Sequence, residues 1–315
     1  MRYLVTGGAG FIGSNTVDEL VRRGHSVAVL DDLSSGREQN LASVRDKIDY
    51  FQGTIEDRAI VQRACRGADY VLHMAARASV PRSVKDPAET NRINVDGTLL
   101  VLLGARDAGV RRVVFSGSSA VYGDKPALPK REDMPPEPIS PYGVSKLAGE
   151  IYGQVFHRVY GLEFVTLRYF NVFGPRQDPG SMYSGVLSLF ITAMQSGASP
   201  TVYGDGEQSR DFTFIENVVQ ANLLACEAPG VAGLVLNAGT GLSYTLNQTL
   251  RLLEKFARRP AQVKYAEPRP GDIHDSQADI ALARRRLGYE PRIGFEEGLR
   301  RTWEWYCSQR PAEAL

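Results

Sequence analysis

A tyrosine and a lysine stand four positions apart in the stretch Ser140–Lys146, which reads SPYGVSK. Pro141 suits the first turn of a helix, and the serine before it suits the cap. Because residues at i and i+4 share a helix face, Tyr142 and Lys146 are predicted to lie side by side. An ammonium group beside a phenol favours the phenolate. The pair is therefore a candidate base, although Tyr-x-x-x-Lys by itself also occurs on many surface helices.

A glycine-rich turn, Thr6–Gly13 (TGGAGFIG), follows one predicted strand and opens a predicted helix. Glycine lets the backbone approach a pyrophosphate, and the helix N-terminus supplies amide groups and a positive dipole end. Asp31 ends the next predicted strand about 20 residues on, as the dinucleotide fingerprint requires. Its carboxylate is expected to bind the adenosine ribose hydroxyls and to repel a 2′-phosphate. The pattern therefore favours NAD over NADP.

A third candidate is Ser118, in a run of small residues after the predicted strand Arg112–Ser116. In doubly wound sheets, ligands bind beyond the C-terminal ends of the strands. A serine at that place can reach the same reacting hydroxyl as Tyr142. Taken alone, the run is better explained as a turn of small residues.

The elements that must position these residues alternate in type. Apolar strands separated by helices predict a parallel sheet covered on both faces, and hence a doubly wound α/β fold of the Rossmann type. The predicted strands are Tyr3–Thr6, Ser26–Leu30, Asp49–Gln52, Tyr70–His73, Arg112–Ser116 and Glu163–Arg168, and the predicted helices are Ile12–Arg23, Asp57–Cys65, Asp86–Ala108 and Pro141–Tyr160. The proline-rich stretch 124–140 is predicted to be a long surface loop.

The regular alternation of strands and helices changes at Asn171, and this change predicts a smaller C-terminal α/β domain for the substrate. The elements predicted after Asn171 are the helices Val186–Ser196, Glu216–Glu227 and Leu246–Ala257 and the strands Thr201–Tyr203, Asp211–Phe214 and Leu234–Asn237, with one segment returning to the main sheet. Residues 1–170 and roughly 214–237 are assigned to the dinucleotide domain, and residues 171–213 and 238–315 to the substrate domain.

The composition of the 315 residues is that of an ordinary globular protein, with 43% hydrophobic and 23% charged residues. A formal net charge of +1 gives no bulk attraction to nucleic acid or to an acidic membrane surface. Apolar runs fall far short of the roughly 18 residues of a spanning helix, and the N-terminus lacks the apolar region of a signal peptide. Three widely spaced cysteines fit neither a disulfide framework nor a metal site. We expect a cytoplasmic protein without nucleic-acid or membrane partners.

Together, the glycine loop, the serine after the fifth strand and the Tyr-x-x-x-Lys pair resemble the extended short-chain dehydrogenase/reductase family. Within it, the chain is similar to the UDP-hexose 4-epimerases over essentially its whole length. The motifs that carry the similarity are HMAA at 73–76, SVPRS at 79–83, NVDGT at 94–98, RYFNVFG at 168–174, GDG at 204–206, SRDF at 209–212 and RPGD at 269–272. They are specific for members that modify nucleotide sugars and less specific for the sugar.

The resemblance implies an isomerase that interconverts UDP-glucose and UDP-galactose with bound NAD as a transient hydride acceptor. Tyr142, held as phenolate by Lys146 and by the positive nicotinamide, would take the proton of the sugar 4-hydroxyl. Ser118 would hydrogen-bond the same oxygen. The 4-keto sugar would then turn about its diphosphate and take the hydride back on its other face.

Site residues carried over by position fall into three sets. The catalytic set is Ser118, Tyr142 and Lys146. The NAD set is Gly7, Gly10, Phe11, Ile12, Gly13, Asp31, Asp32, Ser34, Ser35, Gly36, Ile55, Ala75, Ala76, Asn94, Tyr142, Lys146 and Tyr169. The UDP-sugar set is Ser79, Ser118, Ser119, Tyr142, Asn171, Val202, Tyr203, Arg210, Arg269, Asp272 and Ser276, with the arginines on the diphosphate. No metal site is predicted.

Two positions depart from the family pattern. Thr54 stands where many relatives have an aspartate that binds the adenine amine, so this contact is expected to be weakened or water-mediated. Ala78 replaces a lysine that some relatives carry near the substrate.

Several rival functions stay open. Dehydratases of this family carry an Asp-Glu pair, and decarboxylases a Glu, where this chain has Ser118–Val121. Elimination needs an acid and a base, so 4,6-dehydration and decarboxylation rank below epimerisation. Two further rivals are a UDP-glucuronate 4-epimerase, which would need a site for the sugar carboxylate, and a catalytically inactive NAD sensor or scaffold.

Sugar choice and assembly are expected by analogy with relatives. Ser276 stands where a tyrosine in some relatives excludes N-acetyl groups, so UDP-GlcNAc and UDP-GalNAc are expected to fit unless neighbouring side chains fill the space. A homodimer is expected to form through the helices Asp86–Ala108 and Pro141–Tyr160. The apolar residues there that serve either the core or this interface are Leu99, Leu102, Leu103, Phe156 and Val159.

Overall fold

Seven parallel strands form the central sheet of the computed structural model, which describes residues 1–178, 185–267 and 273–309. The strands of the described residues, both inside and outside this sheet, are in chain order β1 (Arg2–Thr6), β2 (Ser26–Asp31), β3 (Ile48–Gln52), β4 (Tyr70–His73), β5 (Arg112–Ser118), β6 (Glu163–Tyr169), β7 (Val172–Phe173), β8 (Thr201–Tyr203), β9 (Ser209–Arg210), β10 (Thr213–Phe214), β11 (Val235–Ala238), β12 (Tyr244–Thr245) and β13 (Lys264–Ala266). The sheet order is β3-β2-β1-β4-β5-β6-β11. Its first six strands follow the doubly wound dinucleotide-binding order, so the predicted fold class is confirmed.

Helices cover both faces of this sheet. The helices of the described residues are, in chain order, α1 (Phe11–Arg22), α2 (Arg58–Cys65), α3 (Val80–Lys85), α4 (Pro87–Asn91), α5 (Gly97–Asp107), α6 (Pro141–Tyr160), α7 (Val186–Ser196), α8 (Ile215–Glu227), α9 (Leu246–Ala257), α10 (Ala281–Leu287) and α11 (Phe295–Ser308). Successive strand residues pack on opposite faces: Val114 shares an apolar cluster with Leu72, and Val113 shares another with Val71. Burial on both faces explains why the strands read as continuous apolar runs.

The sheet brings polar strand ends to one edge. Thr6, Asp31, His73, Ser118 and Tyr169 are the last residues of β1, β2, β4, β5 and β6. Because parallel strands all end on the same side, this edge is where a doubly wound fold binds ligands.

The helix α6 has the predicted bounds, Pro141–Tyr160. It ends at Gly161, whose φ of +71° is left-handed and therefore suits glycine. The predicted single helix Asp86–Ala108 is wrong. It consists of α4, a π-helical turn at Arg92–Asp96 and α5, because an inserted residue in such a turn shifts the helix face.

The C-terminal part contributes small two-stranded pairings. β7 pairs with β10 and β8 with β13 in parallel, while β9 and β12 are antiparallel. The predicted strand Asp211–Phe214 is shorter, since only Thr213–Phe214 is extended in a ladder. β11 returns to the main sheet beside β6, as expected.

The division into two domains stays a prediction. Within the described ranges, no helix has the length and apolar character to cross a membrane.

Candidate active site

Two serine hydroxyls fix the first turn of α6. Ser140 is the N-cap, and its Oγ accepts the amide of Gly143 at 3.1 Å. Ser83, from α3, accepts the amide of Tyr142 at 3.0 Å. Pro141 has no N–H to satisfy. The backbone of the candidate base is thereby held from outside its own helix.

Ser118 and Tyr142 meet at the end of β5. Their side chains come within hydrogen-bonding reach of each other, so that Ser118 acts to lower the pKa of Tyr142. Ser118 Oγ accepts the amide of Ala120 at 3.1 Å. Ser119 follows in a short 3₁₀ turn, Ser119–Tyr122. The structure thus brings together two hydroxyls that the sequence places on different elements.

Lys146 is buried one turn after Tyr142. Its Nζ donates to the carbonyl of Ser116 at 2.9 Å and lies 6.0 Å from the centroid of the Tyr142 ring. Burial lowers the pKa of Lys146 to about 7, because the ammonium loses its hydration. This lysine can therefore exchange a proton near neutral pH.

The surroundings of Tyr142 within the protein act against the expected phenolate. Burial raises the pKa of Tyr142, and the hydrogen bond from Ser118 only opposes that effect. The Lys146 ammonium is directed to a backbone carbonyl. The contribution expected from a positive nicotinamide stays a prediction.

The glycine loop before α1 leaves no room for side chains. A Cβ on Gly13 would collide with the carbonyl oxygen of Gly7, and one on Gly7 would lie 2.7 Å from the amide nitrogen of Ala75. Gly10 is the N-cap of α1, and within the described chain neither a capping side chain nor an acidic residue stands in that first turn. Uncapped amides in a tight glycine turn suit a pyrophosphate. These residues therefore fit a dinucleotide.

Asp31 lies beside this loop and is buried. Its carboxylate accepts the amides of Ala9 at 2.9 Å and Leu33 at 2.8 Å. Burial raises the pKa of Asp31, and the amide hydrogen bonds oppose that shift. Asp31 therefore holds the glycine loop, while its predicted bond to the ribose stays a prediction. The exposed Asp32 accepts the amide of Ser34 at 2.9 Å.

Asn94 sits in the π-helical turn and is buried. Its Oδ1 accepts the amide of Arg77 at 2.7 Å, and its Nδ2 donates to Ser145 Oγ at 2.9 Å. Ser145 donates in turn to the carbonyl of Tyr142 at 2.8 Å. Asn94 thus joins the loop after β4 to the helix that carries the candidate base.

The remaining cofactor candidates surround the same edge. Ile55 is buried and packs where a Cβ on Gly97 would lie. The Tyr169 hydroxyl donates to Asn222 Oδ1 at 2.7 Å, so this group is occupied within the protein. Phe11 and Ile12 open α1, Ala75 and Ala76 follow β4, and Ser34, Ser35 and Gly36 form the turn after β2.

A cavity of about 290 Å³ lies beside this edge. Its wall includes Asn171, Tyr203 and Arg210, three residues predicted to bind substrate. Phe190 and Phe212 add aromatic surface to the same wall. A guanidinium group among aromatic and apolar side chains can hold a nucleotide diphosphate.

The other predicted substrate residues take different positions. Ser276 is only 7% exposed, with its Oγ 3.4 Å from Asn171 Nδ2. Ser79 caps α3 by accepting the amide of Arg82 at 3.2 Å. Val202 is wholly buried in β8, and its predicted substrate contact stays a prediction. Arg269 and Asp272 lie outside the described residues.

The sequence analysis missed a residue that organises the cavity wall. The buried carboxylate of Asp211 accepts the amides of Thr240 at 2.9 Å, Gly241 at 3.0 Å and Ala278 at 3.1 Å. It therefore ties the loop after β11 to the segment that carries Ser276. The sequence signal was its place next to Arg210 in the SRDF motif.

Comparison with known proteins agrees with this geometry. Residues 3–239 match the NAD dependent epimerase/dehydratase family. The chain belongs to this family. It is 39% identical to a UDP-glucose 4-epimerase of Mycolicibacterium smegmatis over 310 residues, which cover 97% of this chain and 98% of that protein. The prediction of NAD as cofactor is confirmed by the family.

Two solved structures share the fold of this epimerase/dehydratase family member. The UDP-glucose 4-epimerase of Thermotoga maritima, with UDP-glucose, has a TM-score of 0.93 and 40% identity, covering 98% of this chain and 99% of that one. The UDP-N-acetylglucosamine 4-epimerase of Methanobrevibacter ruminantium, with UDP-N-acetylmuramic acid, has a TM-score of 0.94 and 41% identity, with the same coverage. Overall similarity therefore does not distinguish between plain and N-acetylated sugars.

Proposed function

We propose that this family member is a UDP-hexose 4-epimerase that interconverts UDP-glucose and UDP-galactose with NAD as its cofactor. The observation that carries the proposal is the proximity of the Ser118 and Tyr142 side chains, with Lys146 one turn away, at the sheet edge where the glycine loop begins. The segment Ser118–Val121 contains no carboxylate, whereas elimination of water needs an acid and a base. Epimerisation is thus favoured over dehydration.

Each residue has a defined task in this reaction. Tyr142 takes the proton of the sugar 4-hydroxyl and later returns it, and Ser118 hydrogen-bonds the same oxygen. Lys146 supplies the nearby charge and a group that exchanges protons near neutral pH. The glycine loop and Asp31 would hold NAD, which would supply the hydride acceptor for sugar carbon 4. The protein itself supplies position and charge.

The substrate is held by its nucleotide diphosphate. Arg210 lies in the cavity wall with Asn171 and Tyr203, and its guanidinium geometry matches phosphate oxygens. We extend the substrate range to UDP-GlcNAc and UDP-GalNAc, because Ser276 has a small side chain beside Asn171.

A homodimer through α6 is part of the proposal. Val144, Ile151, Val155 and Val159 share one face of α6 and are each 44–65% exposed. Leu102 and Phe156, by contrast, are buried in the core. A contiguous exposed apolar stripe is typical of contact with another chain. Sedimentation of the wild type and of Val155→Asp tests it: the wild type should be dimeric and the variant monomeric.

We place the protein in the cytoplasm. Its three cysteines are all free thiols, and two of them, Cys65 and Cys226, are buried. Free thiols are typical of a reducing compartment. Fractionation of the native host with an antibody against the chain tests this assignment.

A panel of UDP-sugars tests the activity. The purified protein, without added NAD, is incubated with UDP-galactose, UDP-GalNAc or UDP-glucuronate, and the products are separated chromatographically. We expect UDP-glucose and UDP-GlcNAc from the first two substrates. Conversion of UDP-glucuronate alone, or formation of a 4-keto-6-deoxy sugar, would establish one of the rival enzymes. Bound NAD without any conversion would indicate a sensor or scaffold.

A further inference from the structure

A buried polar relay crosses the cofactor edge of the sheet through His73, the last residue of β4. Its Nδ1 lies 2.7 Å from Thr6 Oγ1, and its Nε2 lies 2.9 Å from Thr98 Oγ1. All three residues are at most 1% exposed. Thr6 directly precedes Gly7 of the dinucleotide loop, and Thr98 stands on α5.

The hydrogen bonds of the relay determine where each proton sits. The Thr98 hydroxyl donates its single proton to the carbonyl of Asn94 at 2.6 Å. Thr98 Oγ1 must therefore accept from His73, so Nε2 carries the ring proton. Nδ1 of a neutral imidazole is then bare and accepts from the Thr6 hydroxyl. The ring is held in one neutral tautomer.

The environment of the ring agrees with that assignment. Burial, and secondly the nearby charge of Lys146, lower the pKa of His73 to about 3. The carbonyl of His73 accepts from Ser116 Oγ at 3.0 Å, and the carbonyl of Ser116 accepts from Lys146. A second ring proton, on Nδ1, would therefore be repelled by the charge of Lys146. It would also face the Thr6 hydroxyl, which already donates to Nδ1.

Both ends of the relay reach segments of the dinucleotide site. Thr6 Oγ1 also accepts the amides of Met74 and Ala75, each at 3.2 Å, which fixes the loop after β4 against the glycine loop. At the other end, Thr98 holds the carbonyl of Asn94 in the π-helical turn. His73 thus spans the glycine loop, the loop after β4 and the π-helical turn.

We propose that His73 is a positioning residue for NAD, which holds these three segments in register through a single fixed tautomer. The proposal rests on the NAD site of the proposed function. Removing the imidazole takes away an acceptor for Thr6 and a donor to Thr98. Each buried hydrogen bond lost corresponds to about a tenfold change in an equilibrium constant, so the cofactor should be held less tightly.

Cofactor retention by the whole protein is the first test. Wild type, His73→Leu, His73→Asn and His73→Gln are purified identically, and the release of bound NAD is followed by chase with labelled NAD. Asn places an acceptor near Nδ1, and Gln places a donor near Nε2. We expect release to be about tenfold or more faster in His73→Leu, with the two amide variants between it and the wild type. Wild-type release from His73→Leu would overturn the proposal.

Val71→Ala is the matched control, since Val71 is a buried residue of the same strand that belongs to the apolar core. It should lower the melting temperature and leave NAD release unchanged. An equal acceleration of NAD release in Val71→Ala would show that His73 contributes only as part of the packed core. If His73→Leu fails to fold, Thr98→Val removes the hydroxyl that accepts from His73 Nε2, with little change in shape. Unchanged release from that variant would also refute the role.

The tautomer is tested directly by ¹⁵N NMR of histidine-labelled protein, which contains four histidines. We expect one ring with a protonated Nε2 and a bare Nδ1 that does not titrate between pH 5 and 8, the window in which an ordinary histidine does. A His73 signal that titrates there would contradict the fixed tautomer. A wild type that retains NAD but converts no sugar would remove the proposed function and leave this inference standing.

Discussion

The amide nitrogen of Tyr142 donates a 3.0 Å hydrogen bond to Oγ of Ser83, a residue 59 positions earlier in the chain. The same Ser83 hydroxyl donates to the carbonyl of Val80 at 2.7 Å. The neighbouring Pro81 lines the substrate cavity. One serine therefore joins the turn beside the substrate to the backbone of the candidate base.

Ser83→Ala should consequently slow turnover. The half-buried amide of Tyr142 loses its acceptor, which costs about 1–3 kcal/mol of unfolding free energy. A displaced base lowers kcat by up to about 100-fold. KM for the UDP-sugar should change little. Steady-state kinetics and urea unfolding measure these quantities.

Ser140→Ala is the control, because it removes the other hydroxyl bond at the same helix start. The unfolding free energy of this variant should fall by a similar amount, about 1 kcal/mol. Its kcat should fall less than that of Ser83→Ala. Equal losses of kcat in both variants would show that Ser83 is a helix cap and no more.

The double variant Tyr142→Phe with Ser118→Ala should abolish epimerisation and retain NAD. Both hydroxyls assigned to the reacting oxygen are then missing, whereas the glycine loop and Asp31 are unchanged. Product analysis and the NAD content of the purified variant measure the two effects. Turnover near that of the wild type would refute the catalytic assignment.

The low pKa of Lys146 predicts a pH-dependent stability. Burial lowers this pKa to about 7 in the folded protein, whereas that of an exposed lysine is about 10.4. Between these values the unfolded chain binds more protons, so the free energy of unfolding rises with pH, by up to about 1.4 kcal/mol per pH unit.

Urea unfolding of the wild type and of Lys146→Met at pH 7, 8 and 9 isolates that contribution. The difference in unfolding free energy, wild type minus variant, should increase with pH across this range. A difference that stays constant would mean that Lys146 remains charged in the folded protein.

Ser276→Tyr should depress turnover of UDP-GalNAc and spare that of UDP-galactose. A tyrosine at this position, beside Asn171, is expected from the resemblance to fill the space that an acetamide would need. The ratio of kcat/KM for the two substrates measures the effect, with Ser276→Ala as the control that should leave the ratio unchanged. Equal loss on both substrates would exclude a role as a size filter.

Much of the local structure follows from the sequence alone. The spacing of Tyr142 and Lys146, the cap at Ser140 and the stop at Gly161 determined α6, because helix periodicity and capping act over a few residues. The glycine loop followed by Asp31 determined the dinucleotide site for the same reason. The alternation of apolar strands and helices determined the doubly wound sheet.

Only the tertiary structure decided the properties that depend on distant contacts. The π-helical turn that aims Asn94, the cap from Ser83, the relay through His73 and the burial of Val202 join residues far apart in the chain. The low pKa of Lys146 and the raised pKa of Tyr142 arise from desolvation, which depends on what packs around a group and not on its neighbours in sequence. The sequence by itself thus indicated which groups are candidates for the chemistry, and packing decided their environment and alignment.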